Sequence, residues 1–211
     1  MRIRHHASLG LAATACLVLS GCTNAADWNA NRSSQIHSFD TSSIQAQPDI
    51  IAKLPQGALE DGVLDVAAST DYAPAEFLDP SGTAVGYDVD LTNAIAAVLG
   101  VKGTVHTAEF DSIITSIGSK YDAGISSFTV TPERIAEVNM TSYINVGSRF
   151  NVQAGNPKGV ETSDHLQLCG RTIGVQVGTA QETTMRDAAE KCAKEGKAVL
   201  SVRSYSKQSE A

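Results

Sequence analysis

A run of hydroxyl side chains leads directly into an arginine past the middle of the chain. Four hydroxyl residues lie among the six positions from Ser126 to Thr131, and Pro132-Glu133-Arg134 follows. An arginine in the first turn of a helix is disfavoured by ~0.3–1 kcal/mol, because the helix dipole is already positive there. Beside hydroxyl groups, a guanidinium is suited to bidentate binding of a carboxylate. The stretch therefore predicts a carboxylate site at Arg134, although a solvated arginine beside a cap-rich loop fits about equally well.

The elements that would position this stretch alternate between strands and helices. The predicted elements are a strand at 63–68, a helix at 88–99 that ends at Gly100, a strand at 104–107, a helix at 111–119, a strand at 122–126 and a helix that starts at Thr131. This alternation implies a largely parallel sheet covered by helices. Ligands bind beyond the carboxyl ends of the strands in such sheets, and the stretch from Ser126 to Arg134 follows one of these ends.

A second α/β unit is predicted to begin near Ser148. Its patterns predict strands at 149–154, 172–177 and 197–202, with a helix at 179–194. Thr179 and Glu182 form a T-x-x-E capping box at the start of that helix. The sheet of this unit would be unfinished where the chain ends, so we expect the chain to be a C-terminally truncated fragment.

The N-terminus carries the pattern of an export signal. Arg2 and Arg4 precede an apolar run from Leu9 to Leu19, which is shorter than the ~20 residues that a membrane-spanning helix needs. The motif Leu19-Ser20-Gly21-Cys22 resembles the bacterial lipobox, in which the cysteine is acylated. Residues 1–21 are therefore predicted to be a lipoprotein signal peptide, with lipidation at Cys22. The alternative is an ordinary signal with an incidental cysteine.

The remaining cysteines fit a disulfide better than a metal site. Cys16 lies in the predicted signal, which leaves Cys169 and Cys192 as a pair in an oxidising compartment. Zinc would need two further ligands at suitable spacing, and the sequence near this pair offers none. We therefore predict a disulfide, no metal and no cofactor.

The charge of the chain bears on its partners. The formal net charge is −7, which argues against nucleic acid as a partner, because phosphate binding needs a basic surface. Residues 22–58 are rich in small polar residues without periodic apolar pattern, which is typical of a flexible tether. With a lipid at Cys22, the tether would join the membrane to the folded part.

Four sequence blocks together resemble family 3 of the bacterial solute-binding proteins of ABC importers, the polar amino-acid-binding receptors. The blocks are Thr70-Asp71-Tyr72-Ala73-Pro74 with Glu76-Phe77, Gly86-Tyr87-Asp88-Val89-Asp90-Leu91, Tyr121 through Arg134, and Gly174 through Glu182. The resemblance implies an α/β fold of two lobes, the type II periplasmic-binding-protein-like fold, with lobe 1 at 59–145 and an incomplete lobe 2 at 146–211. It also implies an exported receptor, anchored by its lipid at the outer face of the cytoplasmic membrane or in the periplasm, which passes a polar amino acid to a membrane permease.

The resemblance also implies roles for seven residues. Arg134 would hold the α-carboxylate of the ligand, with the backbone N–H groups of Thr179 and Ala180 adding to it. Ser127 and Thr129 would supply a carbonyl and a hydroxyl, and Tyr72 and Phe110 would be aromatic walls of the side-chain pocket. Two departures stand out: many relatives carry a hydroxyl residue in place of Ala180, and the family's aspartate for the α-amino group has no counterpart here.

Other functions fit parts of the same pattern. An enzyme on this fold, such as a dehydratase or a peptidoglycan-cleaving relative, would need an acid or base, for which Glu76 and Glu109 are the candidates. A sensory module and an inactive truncated product are further alternatives. We expect a binding protein that closes about a hinge near Tyr143 to Arg149, and no enzymatic activity.

Overall fold

The computed structural model describes residues 38–211. The predicted signal peptide, the lipidation at Cys22 and residues 23–37 of the tether lie outside this range. The helices are α1 (Pro48–Ile51), α2 (Tyr87–Leu99), α3 (Phe110–Ser116), α4 (Pro132–Glu137) and α5 (Ala180–Lys194), with short 3-10 turns at His165–Leu168 and Gln208–Glu210. The strands are β1 (Val63–Ala68), β2 (Asp71–Tyr72), β3 (Glu76–Leu78), β4 (Ala84–Val85), β5 (Lys102–Thr107), β6 (Ala123–Gly124), β7 (Thr172–Gln176) and β8 (Ser201–Tyr205).

The central sheet is parallel and has the order β5-β1-β6. Its middle strand β1 is buried on both faces, because Val66 packs in one apolar cluster with Ala96 of α2 and Ala67 packs in another with Ile113 of α3. A parallel strand covered on both sides is the arrangement that βαβ connections produce. The predicted α/β alternation is confirmed in this part of the chain.

A small antiparallel sheet, β2-β3-β4, lies between β1 and α2 in the chain. It joins α2 through Gly86, whose φ of 123° is in the region that only glycine adopts readily. A Cβ atom at this position would lie 2.2 Å from the carbonyl oxygen of Ala75. Glycine is therefore required where the backbone just before β3 passes close to the start of α2.

The second α/β unit is built from β7, α5 and β8, and the two strands are parallel. Its core contains Leu168, Val175, Met185 and Leu200, all of them buried. A disulfide joins Cys169 to the completely buried Cys192 within this core. The cysteine pair predicted from the sequence is therefore bonded, and it ties the 3-10 turn at His165–Leu168 to α5.

Several predicted strands differ from those observed, and three of the differences have a clear physical reason. The strand predicted at 149–154 is wrong: no backbone hydrogen bond joins residues 139–152, here called the crossover segment, to any other described residue. A strand needs a neighbour, and this segment has none within 38–211. The strand predicted at 122–126 is only two residues long, because the chain turns into a loop after Gly124. The last strand begins at Ser201 rather than 197, because Lys197 still bonds to the end of α5.

Neither a membrane-spanning helix nor a cluster of metal ligands occurs among residues 38–211. No helix among these residues has the length and apolar character needed to cross a bilayer. No group of three or more potential metal ligands is found in the same range.

Candidate functional site

Arg134 lies in the first turn of α4, and the local sequence explains why the helix begins there. Thr131 caps the helix, its Oγ1 accepting from the backbone N–H of Arg134 at 3.4 Å, and Pro132 occupies the first position, where a missing N–H costs nothing. The guanidinium turns back toward the preceding loop. Its Nη1 donates to the carbonyl of Thr129 at 2.7 Å, and its Nη2 donates to the carbonyl of Gly178 at 2.9 Å.

Two aromatic rings support the guanidinium. Phe110 and Phe128 are stacked with their centroids 4.6 Å apart. The Cζ atom of Arg134 lies 5.7 Å from the Phe110 centroid and 5.3 Å from that of Phe128, which is within the range of cation–π attraction. Partial burial lowers the pKa of Arg134, but an arginine keeps its charge in proteins. The site is therefore a held positive charge beside an aromatic stack.

The N-terminus of α5 faces the same region through Gly178. Thr179 Oγ1 accepts from the N–H of Glu182 at 3.1 Å and donates to the carbonyl of Gln176 at 2.7 Å. Glu182 Oε2 in turn accepts from the N–H of Gly178 at 2.8 Å, one residue before the cap, which is a variant of the predicted capping box. The N–H groups of Thr179 and Ala180 donate to no other described residue. Free N–H groups at a helix start are suited to binding an anion.

The contact between the two α/β units passes through Gly178. Its φ is +75°, and a Cβ there would lie 2.7 Å from the Cβ of Asp111 in α3. We expect Gly178→Ala to lower the free energy of unfolding by about 1–3 kcal/mol, because it combines backbone strain with a clash. Chemical denaturation measures this change. Gly196→Ala is the matched control, since Gly196 has a φ of +66° and nothing within 4 Å of the added Cβ. Equal losses in the two variants would contradict the packing contact.

The other residues predicted to bind the ligand differ in their exposure and in their contacts with Arg134. Thr129 is exposed, and its carbonyl rather than its hydroxyl bonds to Arg134. Phe110 is only 8% exposed, and its ring is stacked on Phe128. Tyr72 is 44% exposed, and no hydrogen bond or ring contact joins it to Arg134 in the described part of the chain. Ser127 has a φ of +49°, and its Oγ is 3.5 Å from Asp88 Oδ2.

Two buried carboxyl groups lie behind this loop, and the sequence did not indicate them as a pair. Glu76 has no exposed surface, and its Oε1 accepts from Ser126 Oγ at 2.5 Å. Asp88 is 1% exposed, and its Oδ2 accepts from the hydroxyl of Tyr143 at 2.9 Å. Burial above all, with the nearby Asp88 carboxyl adding to it, raises the pKa of Glu76 to about 9.

Phe128 and Gly178 also escaped prediction from the sequence. Phe128 lies within the hydroxyl-rich stretch, and the signal that could point to it is a phenylalanine between polar residues of a loop. Gly178 stood next to a predicted helix cap, where a glycine is unremarkable. The contact of each with Arg134 depends on the tertiary structure.

A structural comparison identifies the class of protein. An ancestral arginine-binding protein bound to arginine matches with a TM-score of 0.59 and 30% identity, over 71% of this chain and 63% of that chain. The ancestral amino acid-binding protein AncCDT-1, described as a precursor of cyclohexadienyl dehydratase, matches with a TM-score of 0.63 and 29% identity, over 72% of this chain and 65% of that one. The fold is that of the two-lobe α/β binding proteins of type II.

Sequence comparison gives the family. Residues 64–207 match the model of the bacterial extracellular solute-binding proteins, family 3, and the chain belongs to this family. The arginine-binding protein ArgT of Corynebacterium glutamicum is 30% identical over 202 residues, which are 94% of this chain and 63% of that protein. The chain thus spans less than two thirds of the length of these relatives.

Proposed function

We propose that this chain is the substrate-binding component of an ABC importer and that it binds a polar amino acid through Arg134. The observation that supports this most directly is the position of the guanidinium, which reaches the carbonyls of both Thr129 and Gly178. The bond to Thr129 would hold the side chain in place. A ligand carboxylate would replace the Gly178 carbonyl at Nη2, because a charged acceptor binds a guanidinium more strongly than a neutral one.

The carboxylate would find further donors at the start of α5. The N–H groups of Thr179 and Ala180 lie directly after Gly178 and have no described acceptor. They would bind through the backbone, so the replacement of a hydroxyl residue by Ala180 matters little. Together with the helix dipole they would favour an anion at this point. The ligand would then connect the first α/β unit, through Arg134, to the second.

The rest of the ligand would lie along the hydroxyl loop, residues 125–131, and against aromatic rings. Ser127 and Thr129 would supply a carbonyl and a hydroxyl to the amino and carboxylate groups. Tyr72 and Phe110 would border the side chain, and the stack of Phe110 on Phe128 would keep that wall rigid. The names of the relatives, among them arginine-binding and L-cystine-binding proteins, support a polar amino acid and make arginine the first ligand to test.

We further propose that the protein is exported and acts outside the cytoplasmic membrane, at its outer face or in the periplasm. The description of the family as extracellular and the bonded Cys169–Cys192 pair support this, because disulfides persist in oxidising compartments. A lipid at Cys22 would anchor the receptor near its permease, with the motif Leu19-Ser20-Gly21-Cys22 as support.

An enzyme on the same fold is the second candidate, since one structural relative is described as the precursor of a dehydratase. The two carboxyl groups that such an enzyme could use differ in access. Glu76 is completely buried and bonded to Ser126, so it reaches no substrate in this structure. Glu109 is exposed at the start of α3, without a capping hydrogen bond. The buried state of Glu76 favours binding without turnover.

Calorimetric titration tests the proposed function. The purified chain is titrated with polar amino acids, including arginine, glutamine and cystine, and with agmatine, which is arginine without its carboxylate. We expect one amino acid to bind and its decarboxylated analogue to bind at least about a hundredfold more weakly, because the lost contact is a charge-assisted pair. Equal binding of arginine and agmatine would contradict the carboxylate site.

The same titration is run on the chain extended by the C-terminal remainder of the Corynebacterium relative. Binding by the extended chain alone would mean that residues 1–211 do not suffice for the activity. Binding by neither chain would overturn the proposal.

A further inference from the structure

Glu76 and Asp88 are buried carboxyl groups without a cation to balance them. No lysine, arginine or histidine forms an ion pair with either of them within residues 38–211. One oxygen of each group, Glu76 Oε2 and Asp88 Oδ1, is buried and has no hydrogen-bond partner among the described residues. An ionised carboxylate left in this condition is strongly unfavourable.

One proton would satisfy both oxygens. The backbone N–H of Asp88 donates to the carbonyl of Ala75, the residue before Glu76, at 2.9 Å. The adjacent hydroxyls of Ser126 and Ser127 donate to Glu76 and Asp88, so the two carboxyl groups are neighbours. A carboxylate accepts hydrogen bonds only, whereas a carboxylic acid also donates one. We propose that Glu76 and Asp88 share a single buried proton, with Glu76 Oε2–H donating to Asp88 Oδ1, and that the pair positions the hydroxyl loop against the crossover segment.

The other oxygen of each carboxyl group bonds to one of the two segments, the hydroxyl loop or the crossover segment. Glu76 Oε1 holds Ser126 of the hydroxyl loop at 2.5 Å, and Asp88 Oδ2 holds the hydroxyl of Tyr143 in the crossover segment at 2.9 Å. A continuous series of hydrogen bonds, Ser126 to Glu76 to Asp88 to Tyr143, therefore joins the loop that leads to Arg134 to a segment without backbone pairing. Ser127, next in the loop, has a left-handed φ of +49°, a conformation that needs support from its surroundings.

The groups around the pair leave the proton in place near neutral pH. Asp71 of β2 adds a further negative charge near Glu76 and acts in the same direction as Asp88. Burial is the main cause that raises the pKa of both Tyr87 of α2 and Tyr143, and the nearby Asp88 raises it further. Both tyrosines therefore stay neutral. No group facing the pair therefore competes for the proton below about pH 9.

The sign of the pH dependence follows from this arrangement. The ordinary pKa of Glu76 is 4.5, and its pKa in the folded chain is about 9. Between these two pH values Glu76 keeps its proton in the folded chain and has lost it in the unfolded chain. The unfolded state binds fewer protons in this window, so stability is full below it and falls as the pH rises. For one proton, the unfolding constant rises about tenfold per pH unit.

The first test compares the parent chain with Glu76→Gln in denaturant unfolding from about pH 5 to about pH 9. A glutamine amide can accept from Ser126 and donate to Asp88 without a titratable proton. We expect the variant to fold and the ratio of parent to variant unfolding constants to rise about tenfold per pH unit. In infrared difference spectra, a protonated carboxyl band should be present in the parent and absent from Glu76→Gln. Identical pH slopes, or the absence of that band from the parent, would overturn the shared proton.

The second test addresses positioning by amide hydrogen exchange at Ser69 and Ile125, whose N–H groups donate to Ser126 Oγ and to the Ala67 carbonyl at 3.0 Å each. Limited proteolysis within residues 139–152 is measured beside it. We expect exchange and cleavage to be about tenfold faster in Glu76→Ala and in Tyr143→Phe, and restored in Glu76→Gln. Tyr121→Phe is the control for removal of a tyrosine hydroxyl, since the Tyr121 hydroxyl makes no described hydrogen bond although its ring is buried in the core. Unchanged exchange and cleavage in Tyr143→Phe would overturn the positioning role. Neither test needs a ligand. Both tests therefore decide this inference even if the chain does not bind an amino acid.

Discussion

Replacing Arg134 with alanine is expected to weaken amino-acid binding about a hundredfold. The guanidinium is partly buried between the carbonyl of Thr129 and the rings of Phe110 and Phe128, so a ligand carboxylate there would be shielded from water. Truncating one partner of such a charge pair costs about 2–5 kcal/mol, of which ~2.7 kcal/mol corresponds to a hundredfold. Calorimetric titration of the parent and the variant measures the loss.

Two further arginine variants make this result specific. Arg134→Lys keeps the charge but loses the planar fork and its contact with the rings, so we expect an intermediate loss of about tenfold. Arg203→Ala removes an exposed arginine of β8 and should leave the affinity unchanged. Unfolding is measured in parallel, because Arg134 also bonds to Gly178. If Arg134→Ala folded and bound like the parent, Arg134 would not be the carboxylate anchor.

Removal of the disulfide is expected to cost about 3 kcal/mol of stability. Cys169 and Cys192 are 23 residues apart, and closing a loop of this length lowers the entropy of the unfolded chain by about that amount. For a chain of this size the midpoint of thermal unfolding should fall by about 6–12 °C. The double variant Cys169→Ala with Cys192→Ala tests this by calorimetry.

Reduction of the parent chain provides the control for this variant. With reductant the parent should unfold near the temperature of the double variant, and the double variant should not respond to reductant. The lost sulfur of Cys192 leaves only a small cavity, since alanine fills most of the same volume. If the parent chain unfolded at the same temperature with the disulfide intact and with it fully reduced, the stabilising role of the disulfide would be contradicted.

Local signals determined much of the fold. The helix α2 follows from its apolar spacing and ends at Gly100, which has the left-handed conformation expected of a helix end. The threonines at 131 and 179 cap α4 and α5 as predicted, because a cap depends on residues only three positions away. The strand β1 was recognisable because five of its six residues are apolar, as in a strand covered on both faces.

Pairing between distant segments was not readable in the same way. The crossover segment has the apolar residues of a strand, but it forms none in residues 38–211, since a strand exists only where a neighbour accepts its hydrogen bonds. The strand β6 is short because the backbone leaves the sheet after Gly124, where a Cβ would lie 2.6 Å from Ile113. The local sequence indicates neither the missing strand in the crossover segment nor the early end of β6.

In the candidate site, too, some features follow from the local sequence and others depend on the tertiary structure. By itself the sequence determined that an arginine follows hydroxyl residues at a helix start, because residue type and short spacing suffice for that. Only the tertiary structure decided that Arg134 bonds to Gly178, 44 positions away, and that Glu76 meets Ser126, 50 positions away. The physical reason is range: capping and periodicity act between neighbours in the chain, whereas burial, charge pairing and shared protons depend on which distant residues folding brings together.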